Sequence, residues 1–161
     1  RDLAMLELMY SSGIKVSELI NIRIAQTNLN AGIVSIGGDK ERIIPLSKPA
    51  INAIDSYLND FRDIKSAELN DFLFINISGE PISRQGIWKI LKSYKKRMDL
   101  DKELSPQVLR NSFAVHMLSH GADLGTLQEL MGLTSIEAAQ NYIGNLEFKS
   151  LEVFKRAFPR V

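Results

Sequence analysis

Cysteine is absent from the chain, and its absence removes several chemistries at once. There is no disulfide framework, no thiolate nucleophile and no Cys-based zinc site. A cysteine-free chain suits the cytoplasm, which is the expected location. Histidine is scarce too: His116 and His120 are the only two. Neither has a ligand-spaced His or Cys partner, so no metal is expected. No apolar run reaches the roughly 18 residues of a membrane span, and no basic–apolar–small leader opens the sequence. No membrane partner is expected. An excess of one charge sign is also missing, since the net charge is +1. No overall basic field announces a nucleic acid, so such a reading must rest on local clusters. The G-x-S-x-G elbow, the P-loop and the dinucleotide fingerprint are absent as well. No cofactor is expected.

What remains is enough for one domain, assigned to residues 1–161: the chain has 161 residues and is 45% hydrophobic, sufficient for a real core. It starts at Arg1, directly in a helical pattern and without Met, as expected of a piece of something longer. In "RDLAMLELMYSSG", Leu3, Leu6 and Tyr10 fall at helical spacing, and Gly13 stops the run. "KVSELINIR" predicts a short second helix. "GIVSIGGDKERIIPL" holds two β-branched runs around Gly37-Gly38-Asp39, a hairpin signal. A helix follows from Ser47-Lys48-Pro49, and "DFLFIN" predicts a short strand. Helix 83–97 places Ile87, Ile90, Leu91 and Tyr94 on its apolar face. Ser105 and Pro106 suit the start of the next helix, and Gly121 its close. Two short helices come next. Thr134 with Glu137 predicts a capping box on the second. A final amphipathic helix covers 147–158. The expected fold class is mainly α with a small antiparallel β-sheet.

Read singly, the chemistry-bearing residues leave alternatives open. Lys89, Lys92 and Lys96 share a face of helix 83–97, and Ser83, Arg84 and Gln85 sit at its start. Such a helix could enter a major groove, with Arg84 and Gln85 reading base edges and lysines on phosphates. It could equally be a solvated surface. Lys40 and Arg42 follow the hairpin turn, where Arg42 is a candidate DNA contact, although cations there also guard edge strands. Arg110 lies near a helix start, against the dipole unless it serves an anion or pairs with a carboxylate. Tyr142 alone reads as a packing aromatic.

The order of segments says more. "SSGIKVSELINI", "GGDKERIIPL", "SPQVLRNSFAVHMLSHGADLGTLQELMG" and "AAQNYIG" resemble, in sequence and spacing, the catalytic domain of a tyrosine site-specific recombinase. The likeness is to the bacterial Xer proteins and phage integrases and covers nearly the whole chain. It implies the tyrosine recombinase/integrase catalytic-domain fold and double-stranded DNA as partner. It also implies an N-terminal DNA-clamping domain in the longer protein, absent from this chain. The family's tyrosine attacks a phosphodiester, forms a 3′-phosphotyrosyl bond and expels a 5′-hydroxyl. Two arginines hold the non-bridging oxygens. A hairpin lysine protonates the leaving oxygen, and no metal takes part. Family members donate the last helix to a neighbour, so 147–158 is a candidate for self-association.

By resemblance, Tyr142 is the nucleophile and Arg110 the second arginine. Other positions depart. The first arginine, in a G-[LI]-R-x-S-E-L pattern, is Lys15. The histidine of H-x-x-R is Gln107. The histidine or tryptophan before the tyrosine is Leu133. The hairpin "GKGNKER" is shortened to "GGDKER", so the usual lysine is gone and Lys40 is the candidate substitute acid. Lysine keeps charge but loses the planar fork. Glutamine cannot take up or release a proton at neutral pH. The expectation is a DNA-binding pseudo-recombinase with impaired or lost cleavage. Alternatives are a divergent active recombinase using Lys15 and Lys40, and a protein-interaction domain without DNA.

Overall fold

The first helix, α1 (Asp2–Ser12), is apolar on nearly every side, so periodicity alone cannot choose its buried face. In the computed structural model, which describes residues 1–37, 41–62 and 70–142, the buried stripe is Ala4, Met5, Leu8 and Met9. The expected helix is there, but Leu3 and Tyr10 of the stripe read from the sequence are exposed. Gly13 ends α1 in the left-handed conformation, and its N–H donates to the Met9 carbonyl at 3.1 Å. Helix α2 (Val16–Leu19) is a single turn.

A three-stranded antiparallel sheet follows, in the order β1 (Thr27–Asn28), β2 (Ile33–Ile36), β3 (Arg42–Pro45). Val34 pairs with Ile44 and Ile36 with Arg42, as the hairpin pattern requires. Val34, Ile36 and Ile44 face the core, whereas Ile43 points to solvent. The turn residues 38–40 lie outside the described residues, and with them Lys40.

Helix α3 (Lys48–Ser56) starts on Ser47, whose hydroxyl accepts from the Ala50 N–H at 3.3 Å. It runs into a wider turn, Tyr57–Phe61, that delivers Arg62 inward. "DFLFIN" is not a regular strand. Arg23 bridges Phe72 and Ile75 bridges Pro81, as isolated pairs. The cause is competition for its backbone. Arg62 donates to the carbonyls of Phe72, Leu73 and Asn70, while the Leu73 N–H goes to the Ile22 carbonyl at 2.7 Å. Neighbouring residues serve different partners, so no ladder forms.

Helix α4 (Arg84–Arg97) is capped by Ser83, which accepts from the Gly86 N–H at 3.0 Å. It buries Ile87 and Leu91, with Ile90 and Tyr94 half-buried beside them. Helix α5 (Pro106–Ser119) starts at Ser105 and Pro106, as expected. Helix α6 (Leu124–Met131) is capped by Asp123 and closed by Gly132 in the left-handed region. Helix α7 (Ile136–Gln140) begins one residue later than the predicted box. Ser135, with extended backbone, accepts from the Ala138 N–H at 3.3 Å, which displaces Thr134 as the cap.

The apolar residues form two clusters. The larger joins α1, α3, the sheet and the buried side of α4. The smaller holds Phe113, Ala114, Leu127, Met131 and Ala139, with Leu133 and Tyr142 packed at its edge. They meet at Gly13, where an added Cβ would lie 2.5 Å from the Phe113 ring. Helix 147–158 lies outside the described residues. Among those described, no helix is long and apolar enough to cross a membrane.

Candidate active site

The site gathers where the clusters meet, around Arg110. Helix α5 turns this side chain inward, leaving it 7% exposed. Its guanidinium donates to the Gly13 carbonyl and, at 2.9 Å, to the Met131 carbonyl. Both acceptors are backbone left open by helix ends, α1 and α6. Among the described residues Arg110 makes no ion pair. Burial pushes its pKa below the usual arginine range. The nearby Tyr142 and the Glu18 carboxylate offset this only in part, and the Arg42 charge adds to it. The side chain stays a cation.

Tyr142 follows α7, and its N–H donates to the Ala139 carbonyl at 3.1 Å. The ring is half-buried on the smaller cluster, beside Arg110. Arg110 and Tyr142 thus lie near each other. Lys15 comes to the same place from the other cluster. Its ammonium reaches the Gly132 carbonyl at 3.4 Å. Leu133 packs on the smaller cluster and its side chain has no polar atom to offer. Gln107 is exposed one turn before Arg110, and its amide donates to Asn111 Oδ1 at 2.7 Å.

Arg42 is placed differently from its expected role on DNA. Its Nη1 and Nη2 meet the two oxygens of Glu18 at 2.8 and 2.9 Å, and its Nε donates to the Leu130 carbonyl at 3.1 Å. Both side chains are nearly covered. Burial alone would raise the Glu18 carboxyl. Hydrogen bonds from Arg42 and the Lys15 N–H, with both charges, outweigh burial and hold the pKa below the usual glutamate range. The guanidinium fork is therefore spent inside the protein. The sequence reading missed Glu18. The available signal was its position three residues after Lys15, where it caps the Lys15 N–H at 2.9 Å.

Gly132 is needed at this junction twice over. Its φ is +59°, and a Cβ there would sit 2.6 Å from Arg42 Nη1. On α4, Arg84, Gln85, Lys89 and Lys92 are all exposed, whereas Ser83 is occupied as the cap. His116 Nδ1 lies 2.9 Å from the Tyr10 hydroxyl, and His120 Nδ1 lies 2.7 Å from the His116 carbonyl. Among the described residues, no group of three His, Cys, Asp or Glu side chains converges as a metal site would require.

The chain and its fold have known counterparts. The family model described as Phage integrase family matches residues 1–147. The tyrosine recombinase XerD of Listeria monocytogenes is 41% identical over 164 residues, covering 99% of this chain and 55% of the relative. The XerA recombinase crystal structure superposes with a TM-score of 0.82 at 26% identity, over 99% of this chain and 57% of that one. The XerH recombinase bound to its difH substrate, a pre-cleavage complex, shares the fold at a TM-score of 0.74 and 24% identity, over 89% and 42%. The chain spans about half the length of the curated relatives it matches. By its matched length and these identities, it belongs to the phage integrase family of tyrosine recombinases and is Xer-like.

Proposed function

We propose that this domain binds duplex DNA as a recombinase-type module whose strand cleavage is impaired or lost. What supports the reading is the residues that accompany Arg110 and Tyr142: by resemblance, Lys15, Gln107 and Leu133 stand where the family has arginine, histidine, and histidine or tryptophan. In a cleaving site the Tyr142 hydroxyl would attack phosphorus, losing its proton as the 5′-oxygen gains one, and Arg110 would hold a non-bridging oxygen. Lys15 supplies charge but no fork. Gln107 can hydrogen-bond a phosphate but cannot relay a proton, and Leu133 does neither. Losing one oxyanion donor costs about 2.7–4 kcal/mol. Losing a general acid or base costs roughly 10²–10⁴-fold. The losses do not add simply, yet together they leave little turnover.

DNA binding is supported by the exposed cations of α4 and by the XerH complex, in which the same fold holds a DNA substrate. A cytoplasmic setting and pairing of copies through 147–158 belong to the same reading. A second reading, a divergent active recombinase, draws on Lys15, whose ammonium extends to the Gly132 carbonyl beside Arg110 and Tyr142. Lys40 would then be its acid. A nicked suicide duplex carrying the candidate site, offered to the full-length protein, separates the two. The expected result is a mobility shift with no covalent adduct on a denaturing gel. An adduct that disappears in Tyr142→Phe would overturn the proposal in favour of the second reading.

A further inference from the structure

The chain has a single tryptophan, and the fold does not bury it. Trp88 is 49% exposed on α4, although the same helix buries Ile87 and Leu91 fully. Its surroundings are cationic. Arg84 and Lys92 lie four residues to either side, on the same helical row, and Lys89 is the next residue along. An apolar protein partner covering this indole would have to strip water from those cations without neutralising them. A polyanion would neutralise them instead.

We infer that Trp88 is a DNA-backbone contact, its indole laid against a deoxyribose at the wall of the major groove with Nε1–H directed to a phosphate oxygen. The inference rests on the DNA-binding reading above and adds to it a residue and a type of contact. If Arg84 and Gln85 lead the helix into the groove, Trp88 follows about 6 Å behind along the axis. A helix with its side chains is about 10–12 Å across and the groove about 12 Å wide. Side chains on the flank of the inserted face therefore meet sugar and phosphate rather than base edges. An indole suits that wall, with an apolar face for the sugar and one N–H donor for the phosphate. The contact is then independent of sequence and fixes the angle at which Arg84 and Gln85 arrive.

Trp88 is the only tryptophan of this chain, so the part of the full-length protein's emission that Trp88→Phe removes reports this one place. The probes are a duplex selected by the protein from a random pool and a scrambled duplex of equal length. On titration, Trp88 emission should change and saturate together with the mobility shift. Trp88→Ala, checked for native circular dichroism, should weaken binding roughly ten-fold on both duplexes with the salt slope kept. Lys92→Ala should instead lower that slope by about one. A mobility shift without any change in emission overturns the inference and leaves DNA binding intact. Weakening confined to the selected duplex also overturns it, by making Trp88 a base contact. No shift on either duplex overturns this inference and the DNA-binding reading together.

Discussion

Arg42 and Arg110 approach one stretch of backbone from opposite sides and end with opposite charge states around them. Arg42 donates to the Leu130 carbonyl and spends both other nitrogens on Glu18. Arg110 donates to the next carbonyl, Met131, and to Gly13, with no carboxylate paired to it among the described residues. The first is a neutralised strut joining strand β3, helix α2 and the end of α6. The second is a buried cation held in place by dipoles, with its charge still on offer to an anion. The residue type is the same. A carboxylate supplied from elsewhere decides whether an arginine's charge is neutralised inside the protein or left unpaired.

The contrast is testable by removing each charge. Arg42→Ala strands the nearly covered Glu18 carboxylate and should cost about 3 kcal/mol of folding stability, at the low end for a buried pair because some exposure remains. Arg110→Met should cost less, about 1–2 kcal/mol for two lost hydrogen bonds, yet weaken DNA binding where a conservative surface change would not. Urea unfolding and a binding titration on both variants check this; equal stability losses would erase the distinction. Gly132→Ala should cost about 1–2 kcal/mol, from the left-handed backbone and the displaced Arg42 guanidinium. A Tm matching the parent chain would show that the strut yields.

The smallest effect is in acid. The folded pKa of Glu18 is depressed, so its contribution is complete above the ordinary glutamate value of 4.5 and is lost as pH falls through the folded value. Glu18→Gln should therefore be less stable than the parent at neutral pH, with the gap narrowing below that value. A gap that stays constant down to pH 3 would place the pair's contribution outside proton linkage.

The helices were legible because their punctuation is local. Ser47, Ser83, Ser105 and Asp123 cap the helices they precede, and Gly13 and Gly132 end two of them. The pairing of β2 with β3 was legible from two β-branched runs around a turn signal. What failed was decided at a distance. The buried face of α1 was hidden because that helix is apolar almost all round, and only its partners choose a side. The strand expected at "DFLFIN" dissolves because Arg62 claims its carbonyls. At the site, resemblance pointed to Arg110 and Tyr142, which lie near each other. It did not reveal that Arg42 is engaged with Glu18, because one strand and one helix must fold before the two can meet.

The anchoring of Arg110 also bears on when the site comes into being. Its two carbonyl partners lie 97 and 21 residues away in the chain; Gly13 follows α1, which feeds the larger hydrophobic cluster, and Met131 belongs to the smaller. Contacts of such sequence separation form late, after the entropy of closing the long loop has been met. A half-folded chain holding either cluster alone would have the arginine but no socket for it. The socket for Arg110 is therefore completed only when the parts of the chain that carry both carbonyls have docked, and in the proposed reading a half-folded molecule would present no phosphate site.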